Sequence, residues 1–190
     1  MELLRRILFA LKMSHRFRKP LIGYRTKKSL QIKNIFELSP LKLKEEGYKV
    51  VVFDYDGVLA AHGENKLSDK VADWLKNFVE KFGMGKVFIL SNKPSKQRVQ
   101  YFSNHFKGIE FIFGKRKKPY PDGILQILQI TEVPAGKLLM VDDRLLTGIL
   151  AAILANVRAR YLTDPMINYH NRPITEIFIQ TLRKIERFIL

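Results

Sequence analysis

The sequence predicts an α/β protein built on a doubly wound parallel sheet, and three observations lead there. Lys49-Val50-Val51-Val52-Phe53, Val87-Phe88-Ile89-Leu90 and Leu138-Leu139-Met140-Val141 are almost continuously apolar, the composition of strands buried on both faces. Segments with apolar residues at helical spacing lie between them. Turn residues mark the joins, with Gly83 and Gly85 after one helix and Pro121 before another. Strands alternating with helices in this way form parallel sheets covered on both sides.

The elements follow in order. Leu4, Ile7, Leu8 and Leu11 sit at helical spacing beside Arg5, Arg6 and Lys12, which predicts a basic amphipathic helix at the start. After the first strand, Ser68 is a candidate N-cap for a helix with Val71, Leu75, Phe78, Val79 and Phe82 on one face. Residues 95–105 read as a helix and Phe111-Ile112-Phe113 as a short strand. Ile124, Leu125, Ile127 and Leu128 mark the next helix, and residues 145–154 another, with Asn156 suited to a left-handed backbone at its end. Residues 158–162 read as a fifth strand. Beyond Pro165, a last helix is expected to turn Ile174, Ile177, Phe178, Leu182, Ile185 and Ile189 inward. Trp74, on a helix flank, reads as structural, and the four His residues lack metal-ligand spacing.

Composition narrows the function. There is no cysteine, which excludes disulfides, thiolate catalysis and Cys-bound zinc. No run approaches the roughly 18 apolar residues of a membrane span. The net charge of +16 favours anionic partners, and residues 1–34 hold ten Lys and Arg against one acid, Glu2. These residues divide from residues 35–190 as a basic amphipathic extension. Such a segment can lie on an anionic membrane, through residues 1–30, or dock as a helix on the domain. It has the Arg-rich, acid-poor character of a transit peptide, with little Ser.

Doubly wound sheets bind ligands beyond the carboxyl ends of their strands. The polar residues there are Asp54-Tyr55-Asp56-Gly57-Val58, Ser91-Asn92, Lys118-Pro119 and Asp142-Asp143. Carboxylates from neighbouring strands can hold a hard cation such as Mg²⁺. A carboxylate can attack phosphorus to form an aspartyl-phosphate, and an acid two residues on can serve as proton donor and acceptor. A hydroxyl and an ammonium can stabilise the equatorial phosphoryl oxygens.

On these residues the chain resembles the haloacid dehalogenase superfamily, whose fold is Rossmann-like. Its motif DxDx[TV] corresponds to Asp54-Tyr55-Asp56-Gly57-Val58, and its later motifs to Ser91, Lys118 and Asp142-Asp143, in order. It is similar in particular to the YqeG-type phosphatases of subfamily IIIA, from Ile35-Phe36-Glu37-Leu38-Ser39-Pro40 through Ser91-Asn92-Lys93-Pro94 to Arg183-Lys184-Ile185-Glu186-Arg187. The resemblance implies Asp54 as nucleophile and metal ligand, and Asp56 as general acid/base with its backbone carbonyl on Mg²⁺. It further implies Ser91, Asn92 and Lys118 on the phosphoryl group, Asp143 as metal ligand and Asp142 in support behind the ligands. Some members of the subfamily, the mitochondrial phosphatidylglycerophosphatase among them, dephosphorylate phosphatidylglycerophosphate, and others have no settled substrate. That implies a phosphorylated substrate, with a phospholipid in first place, and a cytoplasmic or membrane-associated protein, the mitochondrial matrix face being the alternative.

Three positions depart from the subfamily pattern. Gly57 replaces the usual Asn, Ala151-Ala152-Ile153 replaces Gly-Gly-Asn, and the segment matching GDQxxTD is Asp142-Asp143-Arg144-Leu145-Leu146-Thr147-Gly148. The late acid is therefore missing at Gly148, and Asp142 offers a carboxylate in compensation. The intervals around Ser91 are too short for a separate cap domain, which predicts an open, capless site flanked by Lys115-Arg116-Lys117 and suited to a large phosphate. A non-catalytic module that binds RNA or ribosomes through its basic surface is the alternative from another functional class. Nucleic acid ranks behind the phosphorylated substrate, because a binding module has no need of three acids at strand ends.

Overall fold

Residues apolar at every position form strands here because the sheet is covered on both faces. A computed structural model describes residues 2–93 and 95–190; Pro94, quoted in the motif run above, lies outside them. Six parallel strands run β1 (Gln31–Ile32), β2 (Val50–Phe53), β3 (Val87–Leu90), β4 (Ile109–Ile112), β5 (Leu138–Asp142) and β6 (Arg158–Leu162). Their spatial order is β1-β6-β5-β2-β3-β4. The chain thus leaves β2 toward β3 on one side and returns to β5 on the other, so the crevice beyond β2 and β5 is the topological switch point.

Alternation along β2 sorts the core into two layers. Val51 and Phe53 meet the face covered by α3 (Pro40–Glu45), α4 (Asp69–Phe82) and α5 (Lys96–His105). Val50 and Val52 meet the other, with α2 (Arg18–Thr26), α6 (Asp122–Thr131) and α7 (Leu150–Leu154). Every residue assigned to the buried face of α4 is buried, and Trp74 packs against Phe53 and Phe78. The N-terminal α1 (Glu2–Arg16) continues into α2, whose Leu21 and Tyr24 join the second core layer. β1, at residues 31–32, pairs with β6 at the sheet edge, and the sequence pattern does not reveal it because two residues carry no periodicity.

Three expectations need correction. The strand expected at residues 111–113 is β4 at Ile109–Ile112, and Phe113 is exposed. Residues 145–154 are not one α-helix: Leu145–Ile149 forms a wide π-helical turn and only Leu150–Leu154 is α-helical. The side chain of Glu186 accepts a bond from the Leu146 amide inside this turn, at 3.3 Å. The largest departure is α8 (Pro173–Ile189). Ile174, Ile177, Phe178, Ile185 and Ile189 face outward, and the buried residues are Glu176, Arg183 and Glu186. Periodicity locates the apolar stripe of a helix but does not say which side faces the protein when ionic partners wait inside.

Candidate active site

The register of β2 and β5 builds the centre. Val141 lies opposite Phe53, and the Asp54 amide donates to the Val141 carbonyl at 2.9 Å, so the acids that follow emerge side by side. Neighbouring strands are about 4.8 Å apart, which brings side chains at their tips within reach of one another. Carboxylate oxygens of Asp54, Asp142 and Asp143 all lie within 4.8 Å of each other, and the three residues are buried.

Two buried cations answer them. Lys118 Nζ is 2.8 Å from Asp54 Oδ1 and 2.6 Å from Asp142 Oδ2. Burial works against the ammonium, but the two carboxylates outweigh it and hold its pKa above the ordinary lysine range. The Asn92 amide seats this lysine: its Oδ1 accepts from the Lys118 amide at 2.7 Å and its Nδ2 donates to the Lys118 carbonyl at 3.3 Å. Ser91, buried at the end of β3, accepts from the Lys93 amide. The second cation is Arg183, which reaches in from α8 and grips Asp143 Oδ2 through Nε, at 2.6 Å, and Nη2.

Asp56 is set apart from that cluster. Its carboxylate takes a two-point contact from buried Arg98, at 2.8 and 3.0 Å, and a bond from the Gly63 amide at 3.1 Å. Burial raises its carboxyl pKa, yet Arg98 prevails and leaves it below the usual carboxylate value. Arg98 itself lies over the Tyr55 ring at 4.1 Å and donates to the Glu64 and Lys93 carbonyls. His62 sits between Asp56, at 4.0 Å, and Arg183 Nη2, at 3.2 Å, and burial pulls its pKa down to about 4.

The two glycine departures have steric causes. Gly57 has φ +88°, and a Cβ there would meet Arg183 Nη2 at 2.5 Å and Asp143 Oδ2 at 2.7 Å. Gly57 is therefore the space that admits Arg183 to the site. A Cβ on Gly148 would land inside the Asp142 carboxylate. The acid missing at 148 and the acid gained at 142 thus claim the same volume, and only one of them fits.

A divalent cation suits this donor set. Three carboxylates face two cationic side chains, and Asp143 Oδ1 is buried with no hydrogen-bond partner. Burial first, and then the neighbouring Asp142, lift the Asp143 pKa to about 6, while the pull of Arg183 opposes them. Burial also pushes Asp54 well up, with Asp142, Asp143 and Asp56 adding to it against Lys118. A cluster that resists ionisation in this way gains from a further positive charge.

The profile of the haloacid dehalogenase-like hydrolases matches residues 10–156. The chain belongs to that family. It is 32% identical over 119 residues to the probable phosphatase YqeG of Bacillus subtilis strain 168, an alignment covering 63% of this chain. The chain spans just under two thirds of that relative, 66% of its length. A haloacid dehalogenase-superfamily hydrolase from Ehrlichia chaffeensis superposes with a TM-score of 0.50 at 14% identity, over 71% of this chain and 97% of its own, a likeness of fold alone.

The residues that match this hydrolase family contain Asp54, Asp56, Ser91, Asn92, Lys118, Asp142 and Asp143. The sequence pattern does not single out Arg98, Arg183 or His62 as members of the site. The signal for Arg183 was present: Glu176, Arg183 and Glu186 share one face of a helix whose apolar residues lie elsewhere. Arg98 gave no such signal, being one cation on a polar helix.

Proposed function

We propose that this haloacid dehalogenase-like hydrolase is a Mg²⁺-dependent phosphomonoesterase acting on a lipid phosphate or another large phosphate, phosphatidylglycerophosphate being the leading candidate. The observation that carries the reading is the Asp54 carboxylate at the switch point, 2.8 Å from Lys118 Nζ and within 4.8 Å of Asp143, which has an unpartnered oxygen. Asp54 and Asp143 would hold the cation with their carboxylates and Asp56 with its main-chain carbonyl. Asp142 has both oxygens engaged, by Lys118 and by the Arg144 amide, and its part is to keep Lys118 in place. The bound cation supplies charge neutralisation between an anionic nucleophile and an anionic phosphate.

An Asp54 oxygen forms a bond to phosphorus as the ester P–O bond breaks, and the departing oxygen takes a proton from Asp56. Water then cleaves the aspartyl-phosphate, giving a proton to Asp56 and releasing inorganic phosphate. Held by Arg98, Asp56 is ionised and suited to the second half of this cycle; to act as the acid it must leave Arg98 and acquire a proton. Ser91 and Lys118 stabilise the phosphoryl oxygens. A large substrate is favoured because helices α4 and α5 account for the intervals around Ser91 and leave no cap among the described residues. A cavity of about 110 Å³ beside Ser91, Asn92 and Lys118 is also flanked by Lys115, Arg116 and Lys117.

The test is hydrolysis of an aryl phosphate with and without Mg²⁺, comparing wild type with Asp54→Asn, followed by a substrate panel that includes phosphatidylglycerophosphate. Wild-type turnover that needs the cation and is lost in Asp54→Asn is expected. Two equally inert proteins, with RNA binding that is tight and steeply salt-dependent, would instead select the non-catalytic module.

A further inference from the structure

The helix that delivers Arg183 is inverted relative to an ordinary surface helix. Its charged residues Glu176, Arg183 and Glu186 point inward, where they bond the His62 amide, Asp143 and Arg144. Its outward stripe is Ile174 (82% exposed), Ile177, Phe178, Ile185 and Phe188 (89% exposed). A second helix repeats the pattern: Leu3, Leu4, Ile7, Leu8 and Leu11 of α1 are each between 46% and 62% exposed. Both helices border the site. Glu2 of α1 lines the cavity with Ser91 and Lys118, Phe9 stacks on Tyr120, and Arg183 of α8 meets Asp143. Both also pack against the turn at residues 145–149. Apolar exposure on this scale marks an interaction surface.

We propose that the outward faces of α8 and α1 dock this protein on an anionic phospholipid bilayer, which rests on the lipid-phosphate reading above only for the identity of the substrate. Charge selects the occupant. With Glu176 and Glu186 buried, the exposed charged side chains of α8 are Lys184 and Arg187, both cations. On α1, Arg5, Lys12 and Arg16 outnumber Glu2. A second copy of the chain would bring the same positive surface and a net charge of +16. Nucleic acid would satisfy the cations and leave the Ile and Phe side chains in water. An anionic bilayer accepts both, apolar side chains at the acyl boundary and cations at the phosphates. None of the described helices is long and apolar enough to cross it, so the contact is peripheral.

The test is co-sedimentation of the full chain with vesicles of phosphatidylcholine, alone and mixed with phosphatidylglycerol. Wild type is expected to bind the mixed vesicles preferentially and to release as salt rises. Phe178→Glu with Phe188→Glu, and separately Leu4→Glu with Leu8→Glu, are each expected to lower partitioning roughly tenfold or more, from the apolar area lost. Aryl-phosphate hydrolysis by these variants stays at the wild-type rate, and circular dichroism checks their fold. Equal binding to neutral vesicles, or full binding by the α8 variant, overturns the proposal. So does a wild-type dimer that the α8 substitutions dissolve and that ignores vesicles. Vesicle binding without hydrolysis leaves the docking surface standing and removes the phosphatase; hydrolysis without vesicle binding does the reverse.

Discussion

Gly148→Ala is expected to destabilise this protein, although alanine outranks glycine by about 1 kcal/mol at a helical position. The added methyl would occupy the Asp142 carboxylate, which is fully buried and held by Lys118 Nζ at 2.6 Å and the Arg144 amide at 2.9 Å. Either Asp142 gives up these partners, a loss of about 3–5 kcal/mol for a broken buried pair, or residues 145–149 shift off β5, an overpacking cost of about 1–3 kcal/mol. The cheaper route sets the outcome, and about 2 kcal/mol is expected, which lowers the melting temperature of a chain this size by about 4–8 °C. The diagnostic is the sign. In an Asp142→Gly background the obstacle is gone, and Gly148→Ala should be neutral or stabilising by up to about 1 kcal/mol. Urea denaturation of the four proteins, at constant m-value, gives the coupling directly, about 2–3 kcal/mol. The exchange Asp142→Gly with Gly148→Asp should fold, since it returns one carboxylate to one volume. If Gly148→Ala alone matches wild type, or costs the same in both backgrounds, the steric account of the missing acid is wrong.

Three other outcomes are expected. Mg²⁺ at a hundredfold its dissociation constant should stabilise the protein by about 2.7 kcal/mol in thermal shift, and Asp143→Asn, which removes the unpartnered oxygen, should abolish most of that gain. Arg98→Met leaves Asp56 without its two-point partner and should lower stability by about 3–5 kcal/mol in denaturant titration; a loss under 1 kcal/mol would mean the pair is not formed in solution. His62 has its pKa depressed to about 4, so the unfolded chain takes up a proton from about pH 6.5 downward while the native chain does not. The associated stability is present above pH 6.5 and is lost as pH falls through 4, up to about 3 kcal/mol. Acid unfolding of His62→Asn should therefore be shallower than that of wild type over this window, and superimposable curves would contradict it.

Most of the fold was legible because its strands leave no ambiguity. Val50 to Phe53, Val87 to Leu90 and Leu138 to Val141 admit no solvent face, and α4 carries its apolar residues on one side with a glycine at its end. The acids of the candidate site were legible for the same reason, since Asp54, Asp142 and Asp143 lie at the ends of buried strands and folding gives no cause for charge there. What could not be read were partners distant in sequence. Arg98 reaches Asp56 across 42 residues and Arg183 reaches Asp143 across 40. The π-helical turn at residues 145–149 is met by Glu186, which accepts from the Leu146 amide across 40 residues.

By itself, then, the order of residues determined the parallel sheet, the strand ends that carry acid, and the family to which the chain belongs, all of which depend on local composition and spacing. The tertiary structure alone decided which way α8 faces, that Gly57 and Gly148 are openings for Arg183 and Asp142, and that Asp56 is held by Arg98. The physical reason is one of range. Apolar burial is nondirectional and is written into periodicity, whereas a buried charge is tolerable only beside a specific counter-charge, and that partner is brought to it by the folded chain.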